Sequence, residues 1–164
     1  MKNSWIIIYT FFVISNVVFS HGNEKHEKKA VVEIEKSRKR KDLEVFQVIN
    51  EQYKKNVRKI FKRTCFDCHS SKTLYPWYYK IWGISHLIDS DIREAKSHLD
   101  MSDEFPFRGH GNVTDDLNSL KKAIKEGSMP PFLYKLGYPN SKITKEEKKV
   151  IINWIESAKR MLLK

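Results

Sequence analysis

Cysteine is almost missing from this chain: 164 residues hold two, Cys65 and Cys68. That scarcity excludes several chemistries. A zinc site built on the pair would need two more soft ligands, and no further cysteine supplies them. A thioredoxin-like redox pair would need a strand–helix–strand setting, and no stretch reads as a parallel strand. No cysteine follows the apolar run near the N-terminus, which argues against a lipid-modified anchor at that end. No internal repeat is present. Acidic residues are also in short supply, 20 against 31 Lys and Arg, so the net charge is +11. Nucleic acid is the usual partner for such a balance.

The apolar run itself, WIIIYTFFVISNVVF from Trp5 to Phe19, points elsewhere. It follows Lys2 and leads to Val18 and Ser20, a setting that suits cleavage of a secretory signal after Ser20. It is short for a spanning helix, which takes about 20 apolar residues; the alternative is an uncleaved anchor holding the protein at the inner membrane. Export argues against nucleic acid. Two readings of the charge are left: a lysine-rich habit on solvated faces, or a basic surface that steers the protein to an acidic partner.

What is there is the spacing of the two cysteines. Cys65-Phe66-Asp67-Cys68-His69 is a C-x-x-C-H motif, which reads as covalent haem attachment. Two thiols at this spacing reach one edge of the macrocycle as thioethers, and the adjacent imidazole turns onto the iron as an axial ligand. Bacterial haem of this c type is attached outside the cytoplasmic membrane, so a secretory signal and the motif agree, and maturation machinery is an implied partner. A plain disulfide between Cys65 and Cys68 is the competing reading in an exported chain.

Apolar spacing predicts helices around the motif. His21 to Asp42 is mostly charged and reads as a flexible tether or frayed helix. From Leu43, the residues Phe46, Ile49, Tyr53, Val57, Ile60 and Phe61 form one stripe of a helix that runs into the motif. Tyr75, Trp77, Tyr78, Tyr79 and Trp82 crowd a turn around Pro76. Such a cluster can cover a large flat apolar ligand or form an aromatic mini-core. Ile84 to Leu99 carries a second helical stripe. Residues 101–112 read as a loop with Pro106, Gly109 and Gly111 as breakers. Thr114 is the expected N-cap of a third helix buried through Leu117, Leu120, Ala123 and Ile124, with Gly127 after its end. Ser128-Met129-Pro130-Pro131 is a stiff extended loop. Thr144-Lys145-Glu146-Glu147 is a capping box that opens a last helix carrying Val150, Ile151, Trp154, Ile155, Ala158, Met161 and Leu162.

This order resembles a small monohaem cytochrome c. It is most similar to the haem-binding domain family, a cytochrome c-like group of exported bacterial proteins. The residues that carry the resemblance are the motif with Ser70, Thr73 and Tyr75-Pro76-Trp77-Tyr78, then Ser97-His98-Leu99, Gly127-Ser128-Met129-Pro130-Pro131, Tyr134 and Trp154. It covers about residues 43–162. Arg93-Glu94-Ala95-Lys96 departs from it, standing where a glycine–arginine pair is expected. The resemblance implies an all-α domain of about four helices wrapped round one covalent haem c, with the first and last helices crossing beside the haem edge. The expected organisation is therefore a signal at 1–20, a charged linker at 21–42 and the haem domain at 43–164.

It also implies a methionine on the far side of the iron from His69. Met129 is the candidate; Met101 and His98 are rivals, and each has an ordinary packing or surface role as its alternative. His110 has nothing to hold it, and His86 lies on the polar side of its helix. Carbonyls between Ser70 and Pro76 are candidates to accept the free N–H of His69. Tyr75, Trp77 and Tyr78 are candidates to line the pocket or bond the haem propionates. The expected function is single-electron transfer between periplasmic or membrane redox proteins, without enzymatic turnover. The alternative is a haem enzyme or gas sensor whose sixth iron position is open. Because the haem would supply much of the core, the chain without it is expected to fold poorly.

Overall fold

The computed structural model describes residues 24–163. The signal or anchor expected at residues 1–20 lies outside them. Seven α-helices occur among the described residues: α1 (Glu24–Asn56), α2 (Arg58–Thr64), α3 (Phe66–His69), α4 (Ile84–His98), α5 (Val113–Glu126), α6 (Phe132–Gly137) and α7 (Lys145–Leu162). The class is all-α, as expected. The helix count exceeds the expected four because α2, α3 and α6 are short pieces gathered around the motif and after the paired prolines. Two residues of strand on each side, β1 (Leu99–Asp100) and β2 (Arg108–Gly109), pair antiparallel with Leu99 opposite Gly109.

Contacts divide the chain between Ser37 and Arg38. In the first unit, residues 24–37 are helical, and their side chains from Val32 to Ser37 are exposed. Helix thus begins at Glu24 rather than Leu43. The charged stretch is built of Glu, Lys and Arg, whose straight side chains keep most of their rotamer freedom in a helix, so it needs no apolar face to be helical.

In the second unit the stripe from Ile49 to Phe61 is buried as expected, with one break at Val57. There the Ile60 amide bonds the Val57 carbonyl three residues back, at 2.9 Å. The core is an aromatic knot. Tyr53 meets Phe107 edge-on at 5.2 Å, Phe105 meets Phe107 at 5.5 Å and Trp154 at 5.6 Å. Such T-shaped pairs add to the stabilisation from burial alone. The Trp154 indole N–H donates to the Ile49 carbonyl at 3.3 Å, joining α1 to α7. Phe105 and Phe107 come from the segment expected to be an ordinary loop.

Two expectations about helix ends are decided by side-chain bonds. Asn112, not Thr114, caps α5: its Oδ1 accepts from the Asp115 amide at 3.0 Å. Thr144 caps α7 in a full capping box with Glu147. Arg63 then ties α2 to this cap, donating to the Lys142 carbonyl at 3.0 Å and to Glu147 at 2.5 Å, and also to the Asn140 carbonyl.

The most deeply buried side chains include Ile49, Tyr53, Phe61, Leu117, Ile151 and Ile155, all at or near zero exposure. α4 is different, since none of its residues is fully buried. This difference makes the expectation of a poorly folded chain without haem testable element by element. In haem-free protein, amide exchange is expected to be slow in α5, α7 and residues 49–61 and fast in α4. Uniformly fast exchange would show that the aromatic knot cannot stand without the haem.

The α7 cap carries a pH dependence. Burial alone would raise the Glu147 carboxyl, but the Thr144 amide and the Arg63 guanidinium outweigh it and hold the group below the usual glutamate range. A carboxyl depressed in the folded state contributes stability that is present above its unfolded pKa and lost as pH falls through its folded one. Urea melts of Glu147→Gln and the wild type should therefore differ at neutral pH and converge as pH falls below the usual glutamate range. Thr144→Ala should cost about 1 kcal/mol.

Candidate functional site

The C-x-x-C-H motif lies where α2 gives way to the single turn of α3. The His69 amide bonds the Cys65 carbonyl at 2.9 Å and that of Cys68 bonds it at 3.2 Å, so the two cysteines and the histidine share one turn. Both cysteines are free, as attachment to vinyl groups requires and a disulfide does not. Burial pushes the Cys65 thiol up to about 11, against the Thr64 hydroxyl that bonds its sulfur; burial also raises Cys68, with Asp67 and Asp91 adding to it. Both are therefore thiols rather than thiolates at neutral pH.

His69 is held from a distance of thirty residues. Its Nδ1–H donates to the Leu99 carbonyl at 2.8 Å, and the Met101 amide donates to the His69 carbonyl at 2.6 Å. The expectation that the 70–76 loop would accept this proton is corrected. That loop folds back on Asp67 instead: the Thr73 hydroxyl bonds the Asp67 carbonyl at 2.8 Å and the Leu74 amide bonds its carboxylate at 3.1 Å. With Nδ1 donating to a carbonyl, the lone pair of the ring sits on Nε2. Burial lowers the His69 pKa and the nearby His98 adds to this, while the Leu99 and Ala95 backbone and Asp100 oppose it. The imidazole is neutral, the form that binds a metal.

The rival iron ligands are separated by their surroundings. Met101 is 2% exposed and belongs to the core cluster with Phe105 and Phe107. His98 is exposed and packs its ring on His110 at 5.1 Å. His86 is exposed on α4. Met129 is 40% exposed, and it lines a surface cleft with Ile124, Gly127, Pro130 and Ile143. Met129 is not brought into contact with His69 here; the chain just beyond it does reach the motif. The Tyr134 hydroxyl on α6 donates to the Asp67 carboxylate at 2.6 Å.

The aromatic stretch is not a mini-core. Trp77 is 80% exposed and Trp82 is 92% exposed, while Leu74, Tyr75 and Leu87 are also uncovered. Tyr78 and Tyr79 are half-buried; Tyr79 packs on Tyr75 at 4.2 Å and bonds Asp89 through its hydroxyl at 3.0 Å. A short 3-10 turn, Trp77–Lys80, presents this cluster, and α4 follows it.

A haem fits this donor set. Two free thiols and one neutral imidazole nitrogen occur on one turn, beside apolar and aromatic side chains that no protein group covers. Among the described residues no three His, Cys, Asp or Glu side chains form a cluster that could hold a bare metal ion. The roles of three residues here escaped sequence reasoning. Leu99 was visible as the end of a helical stripe and as a matching residue of the family pattern, but it acts through its backbone, which no side-chain signal marks. Asp67 occupies a motif position that the spacing leaves open. Tyr134 was visible only as one matching residue of the family pattern.

A family model described as a haem-binding domain matches residues 18–157. No curated protein and no solved structure matches the chain. The matched stretch takes in the whole of the thiol–thiol–imidazole turn, Met129 and the aromatic segment, and on that footing the chain belongs to the haem-binding domain family.

Proposed function

We propose that the protein is an exported c-type cytochrome that carries single electrons between redox proteins. The observation that supports this best is the turn itself: Cys65 and Cys68 are free thiols, and the Leu99 carbonyl holds the His69 proton on Nδ1. In this reading Cys65 and Cys68 would hold one haem through thioethers, and His69 Nε2 and the Met129 thioether would ligate its iron. When bound, the haem would supply a one-electron ferric–ferrous couple. With Met129 as a ligand, no bond to a substrate would be needed. The Leu99 carbonyl makes the imidazole a stronger donor by drawing on its N–H. The uncovered side chains of Leu74, Tyr75 and Trp77, with half-buried Tyr78, would shield a bound haem from water, which would lower the solvent rearrangement each electron transfer requires. The net charge of +11 suits an acidic partner, with association that weakens as salt rises. The apolar run near the N-terminus suits a periplasmic or membrane-tethered location.

The exposure of Met129 favours one second reading, a haem enzyme or gas sensor whose sixth position is labile. Visible spectra of protein matured with haem, oxidised and reduced, with and without carbon monoxide, separate the two. The electron carrier gives a low-spin c-type spectrum with a weak methionine–ferric band and no carbon monoxide shift. A prompt shift in the ferrous protein supports the sensor or enzyme. Haem that dissociates on denaturation would sink covalent attachment, and the double variant Cys65→Ser with Cys68→Ser is expected to lose the haem under the same treatment. Met129→Ala should abolish the methionine band and admit carbon monoxide.

A further inference from the structure

Met129 sits between two anchors. Upstream, α5 ends at Gly127, whose φ of 70° is the left-handed conformation that favours glycine. There the Ser128 amide returns to the Ala123 carbonyl at 3.2 Å, and Lys135 Nζ donates to the Gly127 carbonyl at 3.4 Å. Downstream, the hydroxyl of Tyr134 reaches the Asp67 carboxylate at 2.6 Å. Between them lie only Met129, the two prolines and the first turn of α6, and Pro130 is buried. Proline fixes φ, so this segment transmits a displacement at Tyr134 to Met129 rather than absorbing it.

Asp67 is the residue that makes this anchor specific. It lies between Cys65 and Cys68, so its backbone moves with the two thiols. Its other carboxylate oxygen and its carbonyl are committed to Leu74 and Thr73. The tyrosine hydroxyl therefore bonds a rigid point on the motif, and a bond to a charged acceptor is stronger than one between neutral groups. The Tyr134 ring also stacks on Tyr138 at 4.9 Å, a packing contact that does not need the hydroxyl.

We propose that Tyr134 is a positioning residue for the sixth iron position: its hydroxyl bond to Asp67 registers the Met129 loop against the cysteine–histidine turn and keeps the methionine on the iron. This rests on the reading of His69 and Met129 as the iron ligands. Removing the hydroxyl leaves the haem attached and the tyrosine stack intact but loosens the methionine.

The test uses the full haem-loaded protein, with wild type, Tyr134→Phe, Asp67→Asn and Thr73→Val compared side by side. The readouts are the methionine–ferric band, carbon monoxide binding by the ferrous form and covalent haem content. Tyr134→Phe is expected to weaken the band and to bind carbon monoxide roughly tenfold more readily, the scale set by losing one hydrogen bond to a charged group. Haem content should stay at the wild-type level. Thr73→Val removes a bond to the Asp67 backbone carbonyl and leaves both carboxylate bonds in place, so it should shift both signals by less than Tyr134→Phe. Asp67→Asn replaces the charged acceptor with a neutral amide, so a weaker bond to the tyrosine is left, and it should shift both signals in the same direction as Tyr134→Phe. An unchanged Tyr134→Phe overturns the proposal, as does a Thr73→Val variant that shifts equally, since that would mean general loosening of the motif. A wild type that lacks the band and binds carbon monoxide at once overturns the ligation reading first, and is recognised before any variant is measured.

Discussion

One hydrogen bond, from the Nδ1–H of His69 to the carbonyl of Leu99, decides what the motif can do. A histidine on a helical turn can place its proton on either nitrogen and can rotate. Bonded to a carbonyl it can do neither freely. The bond commits the proton to Nδ1 and leaves the lone pair on Nε2. The rest of the fold can be understood as what keeps that carbonyl in place. Leu99 is buried and pairs with Gly109 in the small ladder. The Met101 amide returns to the His69 carbonyl, so the histidine and the strand hold each other at two points. Beyond the ladder, Phe105 and Phe107 sink into the knot with Tyr53 and Trp154. The orientation of one imidazole is thereby tied to the packing of the first and last helices.

The parts of this arrangement that were legible in the sequence are those where one residue type answers one physical demand. The motif spacing announces itself because two thiols and an imidazole on one turn have few other uses. The capping box at Thr144 and the left-handed glycine at 127 could be read because local backbone needs select those residues almost alone. The stripe from Ile49 to Phe61 could be read because burial on one face imposes a period. The misplaced cap at Asn112 shows the limit of that reasoning: Asn112 and Thr114 are both competent caps, and only the bond to the Asp115 amide chooses between them.

What stayed hidden depends on contacts between residues far apart in the chain. The carbonyl of Leu99 is identical in kind to every other carbonyl, so no pattern marks it as the partner of His69. Phe105 and Phe107 sit among prolines, glycines and charges, a composition that reads as surface; their burial comes from α1, α2 and α7 closing over them. The aromatic stretch from Tyr75 to Trp82 leaves two readings open, a cover for a flat apolar ligand and a mini-core. Trp77 and Trp82 are exposed, while the buried aromatics are drawn from α1, α2, α3, α7 and the segment before β2. Burial is a property of the assembled surface, and a local count of apolar residues cannot distinguish a core from a face that waits for a ligand.

That difference between a closed core and an open face suggests how the chain divides its work. The aromatic knot, α5 and α7 bury their apolar faces on one another. The 3-10 turn and α4 leave apolar side chains uncovered on the other side of the motif. The cysteine–histidine turn stands at the boundary, with Leu99 reaching it from one side and Asp67 fastening it to the other. Asp67 holds the loop through Thr73 and Leu74 and the helix α6 through Tyr134. In the usual shorthand, C-x-x-C-H, that aspartate is an x, a position without a stated demand. Here it carries the bonds by which two later segments find the motif, so the spacing explains how a haem could be attached while an unspecified residue explains how the rest of the site is brought to it.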